Sequence, residues 1–449
     1  MNLKNIHTVY FLGIGGIGMS ALALYFLHKG VKVYGYDKTP SPVTDILQRK
    51  GAKLHFDDNP DKVLSNPDLV IYTPAVPKNT KVFQKCTEYS LHKRAEVLGW
   101  ISKNIFTVAV AGTHGKTTIS SLITHILKHN GKNVIGFVGG IMKNYQSNLV
   151  LSDREEILVI EADEYDRSFL HLHPDIAVIT STDADHLDIY GEKKQLEKAF
   201  EQFARLLPDG GLLIKKKNIL ENLKTAAVQK TYHLSEKADY YADNVHIFRN
   251  CFQFDIYTPQ TSKTSLFSPL IGFHNIENTL AAAAVALELG LTIEQICDAL
   301  KTYQGVKRRG EYIIEKEDFA FIDDYAHHPK EIEMIVNSVK EVYPEKKITG
   351  VFQPHLYSRT RDFAEDFAQS LEPLNQIILL DIYPARELPV EGVSSRLILD
   401  KIQNKNKQLL TKEELLQSAG KEFFGDVLLT MGAGDIDRLI EPLKQKLSE

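Results

Sequence analysis

The chain reads as an α/β protein of three domains, and three observations predict it. Strand-length apolar runs alternate with helix-length amphipathic segments along the whole sequence, the order that a parallel sheet covered by helices requires. Two of the strands run straight into glycine-rich turns that open helices, "FLGIGGIGMS" from Phe11 and "VAVAGTHGKTT" from Val108. At 449 residues the chain is also too long for a single hydrophobic core.

Each element follows from its local pattern. "HTVYFLGIGG" predicts a buried strand entering a glycine turn, and "MSALALYFLHKG" a helix stopped at Gly30. "VKVYGYD" and "DLVIYTPAVP" are further strands, and the first domain closes at 1–104. The second, 105–309, opens with the strand "IFTVAVAG", the second glycine loop and the helix "TTISSLITHILKHNG". "NVIGFVGG", "EILVIEADE" and "DIAVITST" continue the alternation, and after a helix the turn "LPDGG" leads to "LLIKKKN". Short aromatic alternations between Tyr232 and Pro269 predict an antiparallel insert, followed by the long helix "GFHNIENTLAAAAVALELG". Near Lys307 to Gly310 the pattern resets. A third domain, 310–449, then runs through "FAFIDDYAHHP", "ITGVFQP", "QIILLDIYP" and "DVLLTMGAGD".

Bulk properties narrow the function. A 43% hydrophobic, 25% charged composition is ordinary for a globular protein, and a net charge of −5 offers nucleic acid no footprint. Cys86, Cys251 and Cys297 are far apart and form no CxxC pair, so they suggest neither a disulfide framework nor a zinc site and suit a reducing compartment. No signal-peptide core precedes the first glycines, and no run approaches the roughly 20 apolar residues of a membrane span. The expectation is a cytoplasmic protein acting on small molecules, without a membrane, nucleic-acid or obligatory protein partner.

The second loop carries the clearest chemistry. A strand, glycines and a helix start let backbone N–H groups and the helix dipole face phosphate oxygens. Lys116 is placed to neutralise the outer phosphates and Thr117 to offer a hydroxyl to Mg²⁺. The spacing is Gly112-x-x-Gly115-Lys116-Thr117, shorter than GxxxxGK[ST]: Val110 stands where the longer form has glycine. The first loop, Gly13-x-Gly15-x-x-Gly18, precedes a helix, and Asp37 ends the next strand where a dinucleotide fold holds ribose hydroxyls. That pattern suits NAD or any other diphosphate, and a purely structural turn is also compatible with it. Glu161 closes "EILVIEADE" and His186 lies in "DADHLDIYG", both at the sheet edge where such folds bind ligands. A hard cation prefers oxygen ligands, which suits Thr117 and Glu161. A lone histidine such as His186 is more often a surface or core residue, and Asp163, Glu164 and Asp185 are rival ligands, helix caps or solvated carboxylates.

Taken together, "AGTHGKTT", "EADEYDRSFLHLHP", "DADHLDIYG", "GFHNIENTLAA", "DDYAHHP", "QPHLYSRT" and "DIYPARE" resemble, in this order, the motifs of the Mur ligase superfamily of ATP-dependent amino-acid ligases. The resemblance covers nearly the whole chain. It implies a Rossmann-like N-terminal domain for a UDP-sugar, a central P-loop ATPase domain and a Rossmann-like C-terminal domain for the amino acid. "GIGGIGMSALA", "DDYAHHP" and "QPHLYSRT" are most similar to the branch that joins L-alanine to UDP-N-acetylmuramate in peptidoglycan precursor synthesis.

On this resemblance Gly13, Gly15, Gly16, Ile17, Gly18 and Asp37 hold the sugar nucleotide, and Gly112, Thr113, His114, Gly115, Lys116, Thr117 and Thr118 hold ATP. The γ-phosphate passes to the muramyl carboxylate, and the alanine amine attacks the acyl phosphate. Lys116 and two Mg²⁺ ions screen the meeting anions, with Thr117 and Glu161 on the first ion and His186 on the second. Arg309 matches an arginine near the γ-phosphate, with Arg308 its rival. His274, Asn275 and Asn278 match the nucleotide-contacting stretch, and Asp324 a carboxylate reaching the ATP ribose. Tyr325, His327, His355 and Arg359 match the amino-acid motifs, Arg359 pairing with the alanine carboxylate.

Two departures stand out. The place of the carbamylated lysine of several sibling ligases falls near Glu201, with only Lys198 as a weak substitute, so no such modification is expected. "GVKRR" also lacks the glycine that commonly precedes the paired arginines. The competing functions are a ligase adding a whole tripeptide to the same sugar nucleotide, an NAD-dependent oxidoreductase and a nucleotide-driven switch. The oxidoreductase leaves the second loop without a role, and the switch leaves Tyr325, His355 and Arg359 without one.

Overall fold

Five short parallel strands make the first sheet: β1 (Thr8–Leu12), β2 (Lys32–Tyr36), β3 (Lys53–His55), β4 (Leu69–Tyr72) and β5 (Leu91–Lys93), in the order β3-β2-β1-β4-β5. The order reverses beside β1, so the turn after β1 opens into the crevice where doubly wound sheets bind ligands. The computed structural model describes residues 3–183, 190, 192–248, 251–260, 263–385 and 387–448.

The second sheet has ten strands: β6 (Phe106–Ala111), β7 (Val134–Met142), β8 (Ser147–Val150), β9 (Ile157–Glu161), β10 (Ile176–Ile179), β11 (Leu212–Lys216), β12 (Val228–His233), β13 (Tyr240–Phe248), β14 (Cys251–Tyr257) and β15 (Thr264–Ser268). Their order is β15-β14-β13-β12-β11-β10-β6-β9-β7-β8. β6 lies between β9 and β10, parallel to both, so the loop after β6 has the ends of two neighbouring strands for walls. The segment Tyr232–Pro269, expected as an antiparallel insert, supplies the outer strands β13, β14 and β15 of this sheet, and β13 joins β12 in parallel, Tyr232 opposite Tyr240. Its aromatic alternation marks strands with one buried face, a pattern that gives the period and not the partner.

The third sheet contains β16 (Glu311–Glu315), β17 (Ala320–Asp324), β18 (Ile348–Phe352), β19 (Gln376–Leu379), β20 (Lys407–Leu409) and β21 (Val427–Met431), in the order β16-β17-β21-β18-β19-β20. Only the β16–β17 pairing is antiparallel among these described strands.

Contacts gather the chain into two compact units. One comprises Met1–Asn244, Phe254–Phe267 and Glu277–Gln304, and the other Val245–Gln253, Ser268–Ile276 and Gly305–Glu449. Within the first unit a single buried cluster runs from Val9, Phe11, Leu22 and Phe26 to Phe137, Leu149 and Phe169, joining the first sheet to the second. Tyr25, on the helix Ile17–His28, packs against Phe137 of β7 at 5.8 Å between ring centroids. In the second unit Ile322, Phe352, Leu379 and Leu429 form one layer of core, and Phe321, Val351, Ile378 and Leu428 the opposite one. That alternation is what a parallel sheet buried on both faces demands.

Candidate functional site

The loop after β6 is built so that only glycine fits its two tightest positions. Gly112 has φ +133°, and a Cβ there would stand 1.9 Å from Thr180 Oγ1, beyond the end of β10. Gly115 has φ +80°, and its Cβ would stand 2.5 Å from Asn278 Oδ1. Both are conformations that L-residues adopt only with strain, and both bring a polar group against the loop backbone. Thr113 Oγ1 lies 2.7 Å from Ser181 Oγ, which also accepts the His114 N–H at 3.1 Å, so the strand ends pin the loop from the side.

Lys116 begins the helix Lys116–His129 and turns back over the loop. Its Nζ donates to Gly112 O at 2.6 Å and lies 2.8 Å from Glu164 Oε2. Glu164 has 0% of its side chain exposed. Burial alone pulls the lysine down, but the carboxylates of Glu164, Glu161 and Asp163 outweigh it and hold the ammonium above its ordinary value. Burial pushes the Glu164 carboxyl up, and the ammonium opposes that shift. One helical residue on, Thr117 Oγ1 donates to Glu161 Oε1 at 3.1 Å, and Glu161 Oε2 accepts the Gly139 N–H at 2.8 Å. The register that sets Val110 opposite Glu161 makes this meeting unavoidable. A buried ammonium beside a hydroxyl–carboxylate pair at a helix start is suited to phosphate oxygens and a hard divalent cation.

His186 and the rival Asp185 lie outside the described residues. The two positions weighed for a modified lysine are engaged elsewhere or open: Glu201 pairs with Arg205 at 3.1 Å, and Lys198 is exposed. Thr118 occupies the first turn of the loop helix, and Asn278 faces Gly115. Asn275 donates from its amide to Ile271 O at 2.7 Å, a structural bond within the second unit. His274 flanks Gly272 in that unit, its Cε1 2.7 Å from where a Cβ on Gly272 would stand.

The first glycine loop follows β1. Gly16 caps the helix Ile17–His28 without any side-chain cap, leaving the first amides of that helix open. Asp37, just past the end of β2, is tied to the loop: its Oδ2 accepts the Gly15 N–H at 2.7 Å and its Oδ1 the Thr39 N–H at 3.2 Å. The carboxylate therefore shapes the loop. Arg94, absent from the sequence reading, packs on Gly18, where a Cβ would meet its Nη1 at 2.2 Å. Its mark in the sequence is the basic pair Lys93–Arg94 alone, since the three-residue β5 before it carries no period.

In the second unit the ends of β17, β18 and β19 gather the remaining residues. Asp324 accepts the Gly310 and Ala326 N–H groups, each at 2.7 Å. Burial raises its carboxyl to about 6 against the pull of Arg309 and of both amides. Arg308 is the structural arginine: its Nε donates at 3.0 Å to Asp323, buried and likewise pushed up to about 6 by burial, and its Nη2 donates to Gly432 O. Arg309 lies 5.6 Å from the Tyr325 ring centroid, and its charge acts on Asp324. The Tyr325 and His327 rings meet edge to face at 5.3 Å, and the His327 and His355 rings at 5.9 Å. His355 stacks on Tyr383. Arg359 Nη1 donates to His327 O at 3.5 Å, and among the described residues the rest of its fork is left for a carboxylate. Burial lowers the His327 imidazole, with Glu331 opposing and Arg359 and Arg309 adding to the shift. A neutral imidazole ringed by aromatic groups and two arginines suits a small zwitterion.

Comparison with known proteins bears on what these sites serve. The Mur ligase catalytic-domain model matches residues 8–105, the Mur ligase middle-domain model 110–286, and the Mur ligase glutamate-ligase-domain model 308–434. The UDP-N-acetylmuramate–L-alanine ligase of Flavobacterium psychrophilum is 48% identical over 455 residues, covering 100% of both chains. The crystal structure of a UDP-N-acetylmuramate–alanine ligase from Thermotoga maritima superimposes with a TM-score of 0.85 at 27% identity, covering 98% of each chain. A murein peptide ligase from Psychrobacter arcticus shares the fold with a TM-score of 0.71 at 22% identity, over 98% of this chain and 99% of its own.

Proposed function

The chain belongs to the Mur ligase family, and we propose that it is an ATP-dependent ligase that joins L-alanine to the carboxylate of UDP-N-acetylmuramate. The products are the amide, ADP and phosphate, and the step belongs to peptidoglycan precursor synthesis. The observation that carries this reading is the end-to-end identity to alanine-adding ligases on a chain that holds Lys116, Thr117 and Glu161 together at one glycine loop.

In this reading the first loop binds the diphosphate of the sugar nucleotide and the second binds ATP. A carboxylate oxygen attacks the γ-phosphorus, the bond to the bridging oxygen breaks, and ADP departs. Lys116, handed from Glu164 to the phosphates, offsets the charge that two anions bring together. The neutral amine of alanine then attacks the acyl carbon, and the tetrahedral intermediate expels phosphate as the nitrogen's proton passes to the departing phosphate or to solvent, leaving the amide. Arg359 orients the alanine carboxylate, Tyr325, His327 and His355 wall its pocket, and Arg309 serves the transferred phosphoryl group. Gly13, Gly16 and Ile17 line the diphosphate side, and Asp37 fixes the Gly15 amide. His274, Asn278 and Asp324 serve the nucleoside end of ATP. Thr117 and Glu161 would hold Mg²⁺ by their oxygen donors, with His186 assigned to a second ion by resemblance, and the ions would supply charge neutralisation.

The test is phosphate release from ATP and Mg²⁺ with UDP-N-acetylmuramate, comparing L-alanine, the tripeptide and no acceptor. Release strictly dependent on L-alanine, with the matching mass gain on the sugar nucleotide, is the expected result. Release with the tripeptide alone transfers the chain to the tripeptide-adding activity.

A further inference from the structure

Arg94 stands between the two glycine loops of the first unit. One side of its guanidinium packs on Gly18, in the opening turn of the helix Ile17–His28. Its Nη2 donates to Asp163 Oδ2 at 3.4 Å. Asp163 immediately precedes Glu164, the carboxylate that holds Lys116 of the second loop. The turn that bears both is tightly made: Asp163 Oδ1 accepts the Tyr165 N–H at 3.0 Å, Glu164 O accepts the Tyr190 hydroxyl at 2.6 Å, and Asp166 and Arg167 sit at φ +51° and +55°. Asp166 is in turn paired with Lys93. A chain of charges therefore runs from the first loop to the second.

The two ends of this chain differ in strength. The Lys116–Glu164 pair is short, and its carboxylate is wholly buried. The Arg94–Asp163 contact is single and long, and its side chains are 26% and 39% exposed, so it contributes little and exchanges easily. Its placement is also electrostatically mismatched. The helix start at Gly18 carries the positive end of the helix dipole and unpaired amides, and a guanidinium beside it is repelled. An anion lying on the first loop turns that repulsion into attraction on both sides.

We propose that Arg94 and Asp163 are positioning residues that couple the two substrate sites. A diphosphate on the first loop draws Arg94 away from Asp163, and the released carboxylate strengthens the negative field at Thr117 and Glu161, where the triphosphate's cation binds. The field of Asp163 already reaches Lys116. Each ligand then tightens the other, and the coupling is reciprocal. This inference rests on the reading that the first loop holds the sugar nucleotide.

Titration calorimetry of the full chain tests it. UDP-N-acetylmuramate is titrated with and without saturating Mg²⁺ and a non-hydrolysable ATP analogue. In the unaltered chain the analogue tightens the sugar nucleotide by about 5-fold or more. Without the analogue, Arg94→Gln weakens the sugar nucleotide, whereas Asp163→Asn leaves it as tight or tighter, because Arg94 has lost a competitor. In both variants the ratio with and without analogue falls to near 1, and the double variant matches Arg94→Gln. Circular dichroism monitors folding, and Arg94→Gln carries the test alone should Asp163→Asn not fold. A ratio near 1 in the unaltered chain, or a ratio that survives in Arg94→Gln, overturns the coupling alone. An unaltered chain that takes up no sugar nucleotide overturns the ligase reading and the coupling with it.

Discussion

Lys116 is never a free cation in this fold. It is shared between Gly112 O and the buried Glu164, so a phosphate that takes the ammonium replaces one anionic partner by another. Lys116→Ala should lower the rate of phosphate release by at least about 100-fold, as loss of a transition-state cation does, while calorimetry shows sugar-nucleotide affinity nearly unchanged. A parallel collapse of that affinity would place the two ligands on one loop. Arg359→Ala should raise the KM for alanine well above any change in the KM for ATP, since only the planar fork matches the amino-acid carboxylate. Equal shifts in both constants would remove Arg359 from that pocket. Lys116, Thr117 and Glu161 were legible in the sequence because loop, helix start and strand end each mark a known position in such a sheet. Glu164 and Arg94 were not: whether a carboxylate beyond a strand turns inward, or an arginine crosses to another loop, depends on contacts between segments 48 and more residues apart.

At the level of elements, the second loop is held by its neighbours as much as by its own sequence. Gly115→Ala would force a positive φ on alanine, costing about 1–2 kcal/mol, and would push Asn278 from the loop. The variant should melt lower than the parent and bind an ATP analogue about 10-fold more weakly, a size set by that strain. The turn after β17 has a different sensitivity. Asp324 titrates at about 6 when folded and near 3.8 otherwise, so the folded state binds the extra proton as pH falls between those values. The contribution of this group to stability therefore increases from pH 7 to pH 5. Thermal unfolding should show the parent gaining on Asp324→Asn over that range, and the opposite slope would refute the assignment. The long apolar strands were legible from their runs. Three-residue strands such as β3, β5 and β20 were not, because so short a stretch carries no period.

Across the whole molecule, the proposed ligase reading makes turnover depend on a hard cation at the hydroxyl and carboxylate donors of the second loop. EDTA should abolish phosphate release, and Mg²⁺ should restore it without refolding, as circular dichroism before and after would confirm. The three-domain order was legible because strand–helix alternation resets twice along the chain. The sharing of one core between the first two sheets was not, since an apolar residue does not declare which sheet it serves. That shared core has a practical consequence. Asn148 of β8 donates from its amide to Ser20 Oγ and to Ile17 O at the start of the first loop's helix, and Tyr25 and Phe26 of that helix face the seam. A fragment cut at residue 104 would present this face to water as a broad apolar patch, the kind that drives aggregation. Expressed alone, the domain of the first sheet should collect in the insoluble fraction, and polar residues placed on the face of Tyr25 and Phe26 should bring it into solution.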